Sequence, residues 1–294
     1  MEKSKIQAAY EYCHAIFSQQ GLPTFQRIQH LKNILDSMEA KDVGIDEFGS
    51  CDSAISLQEA GGSRGLLCGR GFSEITYIHI HECDSFSIGV FCLPAGKTFP
   101  LHDHPGMIVL SKLLYGSVYV KAYDWIKVDN RASQRRKCNY YSLHSAQIKQ
   151  ALRIVVDAAV GLAGRVVDGI MKAPQETSIL FPTRGGNIHG FTALTPCAIL
   201  DVLSPQYSEE LGRPSTYFSD SPFPSPSSDY ALLEAILLPA DLVVRAAPYL
   251  GPPVSPQYCS YQCTLCWVAW SCFAVLPRLK ENGKLLPKIS LLLI

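Results

Sequence analysis

PLHDHPGM, residues 100–107, sets two histidines one residue apart between two prolines, directly after a run that reads as a strand. In an extended strand, residues i and i+2 project to the same face. That places His102 and His104 side by side, with Asp103 turned the other way as a structural residue. Two imidazoles on one face are either incidental or half of a metal site, and the rest of the chain has to decide.

Around this stretch the texture is that of short strands. EITYIHIH from residue 74, then DSFSIGVFCL, MIVLSKLLYG and SVYVKAYDW, are rich in β-branched and aromatic residues and are punctuated by Gly, Pro and acidic positions. The same texture returns in TSILFPT, GFTAL and CAILDVLSP, and many short strands with turn signals predict a barrel or sandwich. Before residue 74 the pattern differs. Ile6, Ala9, Tyr10, Cys13, Ile16 and Phe17 recur at helical spacing, and Phe25, Ile28, Leu31, Ile34 and Leu35 predict a second helix to about Met38. Residues 146–172 carry a helix-like run with an internal echo, RIVVDA and RVVDG, and the Pro/Ser-rich stretch 219–229 reads as an interruption.

Composition narrows the function classes. With 294 residues, 47% hydrophobic and 18% charged, the chain can bury a substantial core. Formal net charge is zero, so nothing argues for nucleic acid or an anionic membrane, and the basic cluster at 131–137 reads as a solvated loop. The N-terminus has no apolar leader segment. The apolar run at 265–276 falls short of the roughly 18–20 residues that cross a bilayer. Eleven scattered cysteines without a leader predict reduced thiols and a cytoplasmic or nuclear location.

The other histidines carry less signal. His14 and His30 sit on the helices, His144 in a loop, and His79 and His81 alternate on a strand without a Gly/Pro frame. His102 and His104 do have a frame: Gly96 stands six residues before His102, and Gly116 twelve after His104. This is similar to the first metal-binding motif of the cupin barrels. PTRGGNIHG then supplies Gly186 and His189, resembling the second. Three imidazoles converging inside a small barrel would leave open metal positions opposite them. The positions after His104 that hold a glutamate in many cupins lie among residues 107–109, all apolar. Three neutral ligands leave the metal's full charge, which favours a thiolate co-ligand; zinc with three histidines and a water is the alternative from ligand type alone.

Two longer blocks are more specific. FCLPAGKTFPLHDHPGMIVLSKLLYGSVYVKAYDW and ILFPTRGGNIHGFTALTPCAILDVLSPQYSEELGRPSTYF closely resemble the plant cysteine oxidases, grouped with the 2-aminoethanethiol dioxygenases. The resemblance extends over about residues 4–252. It implies a mainly β, cupin-type double-stranded β-helix with short N-terminal helices. It further implies one Fe(2+) per chain, O2 as co-substrate, and oxidation of N-terminal cysteine to cysteine sulfinic acid. The implied substrates are ethylene-response transcription factors, with the enzyme acting as oxygen sensor for the N-degron pathway.

Carried over by motif, the resemblance makes His102, His104 and His189 the iron ligands. It makes Asp201 and Tyr207 catalytic residues and places Cys197 beside the substrate. The expected organisation is N-terminal helices and a connection over 1–73, a cupin core over 74–252, and an atypical tail over 253–294. Cysteines 259, 263, 266 and 272 in that tail lack the frame of a zinc cluster. A monomer is expected, with N-terminal-cysteine peptides or proteins as its partners. The competing reading is a metal-binding cupin module without turnover.

Overall fold

The computed structural model describes residues 3–19, 21–46, 67–68, 71–126, 160–223, 229–255, 280–281 and 284–285. Two helices come first, α1 (Lys5–Phe17) and α2 (Phe25–Asp36). Each starts at a side-chain cap: Ser4 Oγ accepts from Gln7 N at 3.3 Å, and Thr24 Oγ1 from Arg27 N at 3.4 Å. The helical spacing seen in the sequence maps onto the buried stripe of α1 at all six positions. In α2 it maps onto Ile28, Leu31 and Leu35, while Phe25 stays exposed and the helix stops at Asp36.

Among the described residues, fourteen strands follow between residues 45 and 247. A parallel pair, β1 (Ile45–Asp46) and β2 (Leu67–Cys68), stands apart. The others are β3 (Ile75–Cys83), β4 (Phe86–Leu93), β5 (Thr98–His102), β6 (Ile108–Tyr115), β7 (Ser117–Trp125), β8 (Val160–Lys172) and β9 (Ser178–Leu180). They continue with β10 (Ile188–Ala193), β11 (Cys197–Ser204), β12 (Tyr217–Pro222), β13 (Tyr230–Ile236) and β14 (Val244–Ala247). One open sheet runs β14-β3-β4-β11-β6-β9, and β10-β5-β12-β13-β8-β7 close into a barrel. This is the expected cupin-type architecture.

Period-two alternation divides the open sheet between two cores. Ile88, Val90, Leu110, Leu200 and Val202 face α1 and α2, joining Ile6, Ile28, Leu31 and Leu35 in one buried cluster. Each such side chain contributes about 1.5–3 kcal/mol by leaving water, so the helices are fixed to the sheet by packing rather than by helix propensity. Leu93, Leu113, Cys197 and Ile199 instead meet Val118, Val120, Ala122 and Ala193 of the barrel. The tight β6–β7 turn rests on Gly116, whose φ of +84° suits glycine.

Two sequence expectations are corrected. Residues 160–172 form β8 rather than a helix, paired with β7 along nearly its whole length. Val166 and Ile170 are exposed while Val167 and Met171 pack inward, a period of two that non-local pairing imposes on an ambiguous apolar run. Residues 146–159 lie outside the described residues. The Pro/Ser stretch opens inside β12, which reaches Pro222 and pairs with β13.

The described chain runs slightly past the expected core limit at 252. Val254 packs against the helix-side core. Gln7 exchanges two 2.9 Å hydrogen bonds with the backbone of Ser255. The four tail cysteines lie outside the described residues, as does the 131–137 cluster. Among the described residues no helix is long and apolar enough to cross a membrane.

Candidate metal centre

β5 ends at His102, whose Cα partner on β10 is His189. Antiparallel pairing therefore brings two imidazoles together from positions 87 residues apart in sequence. His104 lies just past the end of the strand rather than on it. Its neighbour Asp103 extends the backbone: Asp103 N donates to Thr216 O at 3.1 Å, and Asp103 Oδ1 accepts from Thr216 N at 2.8 Å. Asp103 is thus structural, as expected, and His104 still faces the same way as His102.

The three rings converge. Their centroids lie 4.8–4.9 Å apart, and one ring nitrogen of each lies within 4.8 Å of the others. All three residues are buried, at 7%, 4% and 4% exposure for His102, His104 and His189. Among the described residues they form the only group of three or more His, Cys, Asp or Glu arranged to hold a metal ion.

Hydrogen bonds fix the tautomers. His102 Nδ1 lies 2.9 Å from Pro100 O, and His189 Nδ1 3.3 Å from Gly186 O. A carbonyl only accepts, so both nitrogens carry the proton. His104 Nδ1 lies 2.7 Å from the Tyr207 hydroxyl, which lies 2.7 Å from Asp103 O. The phenol must donate to that carbonyl, so it accepts from His104 Nδ1–H. Each ring is left with a bare Nε2. The Nε2 atoms of His104 and His189 are 3.2 Å apart, two lone pairs facing each other across a buried gap.

Burial lowers the pKa of all three: to about 4 for His102, to about 3 for His189, and well below the usual range for His104; repulsion from the neighbouring imidazoles adds to it at His104 and His189. The cluster is therefore neutral near pH 7, which is the state that ligates metal. Facing lone pairs in an apolar setting are what a cation would relieve, so the donor set fits a metal ion. Three imidazole nitrogens suit iron, zinc or copper.

The surroundings are mostly apolar. Phe99 and Phe191 pack their rings against His102 and His189 at 4.9 and 4.8 Å. Met107, Val109 and Leu180 are buried together, with Leu203 and Tyr207 packed on them. Ile108 turns to the helix-side core, so none of positions 107–109 offers the carboxylate found in many cupins.

Asp201, on β11, sits between Gly89 and Ser111 of the flanking strands. Its Oδ1 accepts from Ser111 Oγ at 2.5 Å. Burial raises its pKa to about 7, against the opposing pull of that bond. Its charge also contributes to raising the phenol of Tyr207, which burial chiefly drives up. Asp201 is not a member of the three-residue group. Cys197 is fully buried in the inter-sheet core with Leu93 and Ile199, and burial pushes its thiol up to about 12. That is a packing position for a protonated thiol.

His79 and His81 also stand outside the group. A bulge between them shifts the pairing, so that His81 packs on Tyr10 and Phe86. Sequence reasoning missed Ser111, Tyr217, whose ring lies 6.3 Å from His102, and the pair Asp124 and Asn187. The one signal for Asn187 was its place in the Gly-Gly-Asn turn ahead of His189.

Comparison with known proteins agrees with this geometry. The PCO_ADO family profile matches residues 34–254. Plant cysteine oxidase 1 of Arabidopsis thaliana is 38% identical over 227 residues, 76% of this chain and 66% of its own length. Plant cysteine oxidase 2 of the same plant is 36% identical, over 85% and 83%. Human 2-aminoethanethiol dioxygenase is 31% identical, over 81% and 84%. The chain thus spans just under two thirds of the first relative and more of the others. A crystal structure of an RmlC-like cupin protein from Desulfovibrio desulfuricans overlaps 45% of this chain and 83% of its own at 16% identity. Its TM-score is 0.26, a likeness that adds nothing to the strand pairing itself.

Proposed function

The chain belongs to the PCO_ADO family, and from that premise we propose that it is a non-haem iron thiol dioxygenase oxidising N-terminal cysteine. The reaction is R–SH + O2 → R–SO2H, in which both oxygen atoms end on sulfur. The observation that carries the reading is the set of three buried, neutral imidazoles whose Nε2 lone pairs converge with no carboxylate among them. An Fe(2+) ion held there would bring thiol and dioxygen together and mediate electron transfer between them.

The chain's own residues do the rest. His102, His104 and His189 donate three nitrogens and add no charge, so a substrate thiolate is the favoured counter-ion. Met107, Val109, Leu180 and the rings of Phe99 and Phe191 keep water from the centre. Asp201 receives the substrate's positive amino group or takes up its thiol proton at the carboxylate, a task suited to a pKa near 7. Tyr207 holds His104 in its metal-binding tautomer.

The substrates in this reading are proteins that expose an N-terminal cysteine, ethylene-response transcription factors among them. The enzyme works as a monomer in cytoplasm and nucleus, as an oxygen sensor feeding the N-degron pathway. The similarity to two plant cysteine oxidases supports this choice over a small amino thiol. The test is anaerobic purification, iron analysis, and mass spectrometry of a Cys-initiated peptide after exposure to air. A gain of two oxygen atoms is expected. No gain at full iron occupancy overturns the reading.

A further inference from the structure

Behind the imidazoles lies a second set of contacts, centred on the turn that precedes β10. Gly185 and Gly186 adopt φ of +89° and +85°, which gathers the N–H groups of three successive residues into one concavity. The Asp124 carboxylate, from the end of β7, fills it. Oδ2 accepts from Gly185 N at 2.8 Å, and Oδ1 from Gly186 N at 3.0 Å and Asn187 N at 2.9 Å. A Cβ on Gly186 would stand 2.7 Å from Ala122 Cβ, so space as well as φ demands glycine there.

Asn187 turns its side chain to the backbone of His104. Its Oδ1 accepts from His104 N at 3.1 Å; its Nδ2 donates to His104 O at 2.9 Å and to Phe181 O at 3.1 Å. This two-bond contact stands in for a strand ladder at the point where β5 has ended. The same turn supplies the Gly186 carbonyl that receives His189 Nδ1–H. One turn therefore sets the backbone of His104 and the ring of His189.

We propose that Asp124 and Asn187 are positioning residues for the metal centre. Asp124 fixes the conformation of the 185–187 turn, and through it Asn187 and the Gly186 carbonyl set the separation of His104 and His189. Metal affinity and ligand geometry then depend on a carboxylate that touches no ligand ring. The proposal rests on reading the three imidazoles as a metal site.

The probe is cobalt(II), titrated into metal-free full-length protein, with affinity read by chelator competition and geometry by ligand-field absorption. Asp124→Asn replaces one accepting oxygen by an NH2 that opposes the turn's N–H groups. It is expected to bind cobalt about 10- to 100-fold more weakly, with altered bands. Asn187→Ser, too short to span both backbone groups of His104, moves both readouts in the same direction. Asp220→Asn removes a carboxylate bonded to Lys121 and Tyr123 on the same barrel, and binds like wild type. His189→Ala separates the two levels of the argument. Wild-type affinity in His189→Ala overturns the metal-site reading. Loss in His189→Ala beside wild-type affinity and bands in Asp124→Asn overturns the positioning proposal alone. Should Asp124→Asn fail to fold, Asn187→Ser decides: wild-type affinity and bands there overturn the proposal, and weakened binding upholds it.

Discussion

Tyr207→Phe separates two roles for the phenol, holding a ligand or touching the substrate. The hydroxyl stands 2.7 Å from His104 Nδ1 and 2.7 Å from Asp103 O. Its removal leaves a buried Nδ1–H without an acceptor, and Asp103 O with only the Ser215 hydroxyl at 3.5 Å. An unmet buried donor costs about 1–3 kcal/mol. His104 can relieve that by moving its proton to Nε2, where His189 Nε2 at 3.2 Å accepts it. The shifted tautomer has no lone pair to offer a metal. Metal binding must reverse the shift, so the same ~1–3 kcal/mol is lost from affinity, about 5- to 150-fold at 1.4 kcal/mol per factor of ten. The assay is chelator competition with cobalt(II) on metal-free wild type and variant, followed by peptide oxidation per bound iron. Weaker binding with nearly normal turnover per iron is expected. Wild-type affinity with lost turnover would refute the tautomer argument and place the phenol on the substrate.

His189→Ala leaves two imidazoles where three converge, and neither Ile188 nor Gly190 can replace the third; iron content after purification should fall to background while circular dichroism stays native. Asp201→Asn should lose most turnover, keep its iron, and flatten the pH–rate profile near 7. The same variant should also be more stable than wild type at pH 8. The folded carboxyl has a pKa raised from 3.8 to about 7, so its stabilising contribution is complete below pH 3.8 and is lost as pH rises through 7. An amide escapes that loss, on the order of 4 kcal/mol at most, and denaturant melts at pH 5 and pH 8 should show a stability gap that opens with pH. Ending the chain after Ser255 should preserve iron binding and turnover. Ending it after Pro252 removes Val254 and the paired bonds to Gln7, and should lower Tm by about 2–4 °C for each kcal/mol lost; equal Tm values for the two truncations would show that these contacts carry no stability.

What could be read from the sequence follows the range over which each feature is determined. The grouping of His102, His104 and His189 was legible because a candidate ligand's identity is written in its own residue and the turn residues beside it. The strands were legible where alternation was local, from β3 to β7 and again in β10 and β11. Residues 160–172 were not, because their valines and isoleucine suit either period until β7 supplies partners 38–55 residues away. The bulge that separates His79 from His81 is likewise a property of the pairing with β4 and not of the IHIH string.

The same division runs through the site. Nothing in AYDW marks Asp124, since its role comes from a turn more than 60 residues later whose amides reach it only once β7 and β10 pair. Nor does PLHDHPGM reveal that its second histidine has left the strand and is held by Asn187 in place of a ladder. Which atoms can bind a metal is thus decided locally, and how tightly they do so is decided by contacts across the barrel. A protein can keep the H-x-H pair and the distant histidine intact and still lose its metal through a change at Asp124 or Asn187. A function inferred from the ligand motif alone should therefore be checked at those two positions.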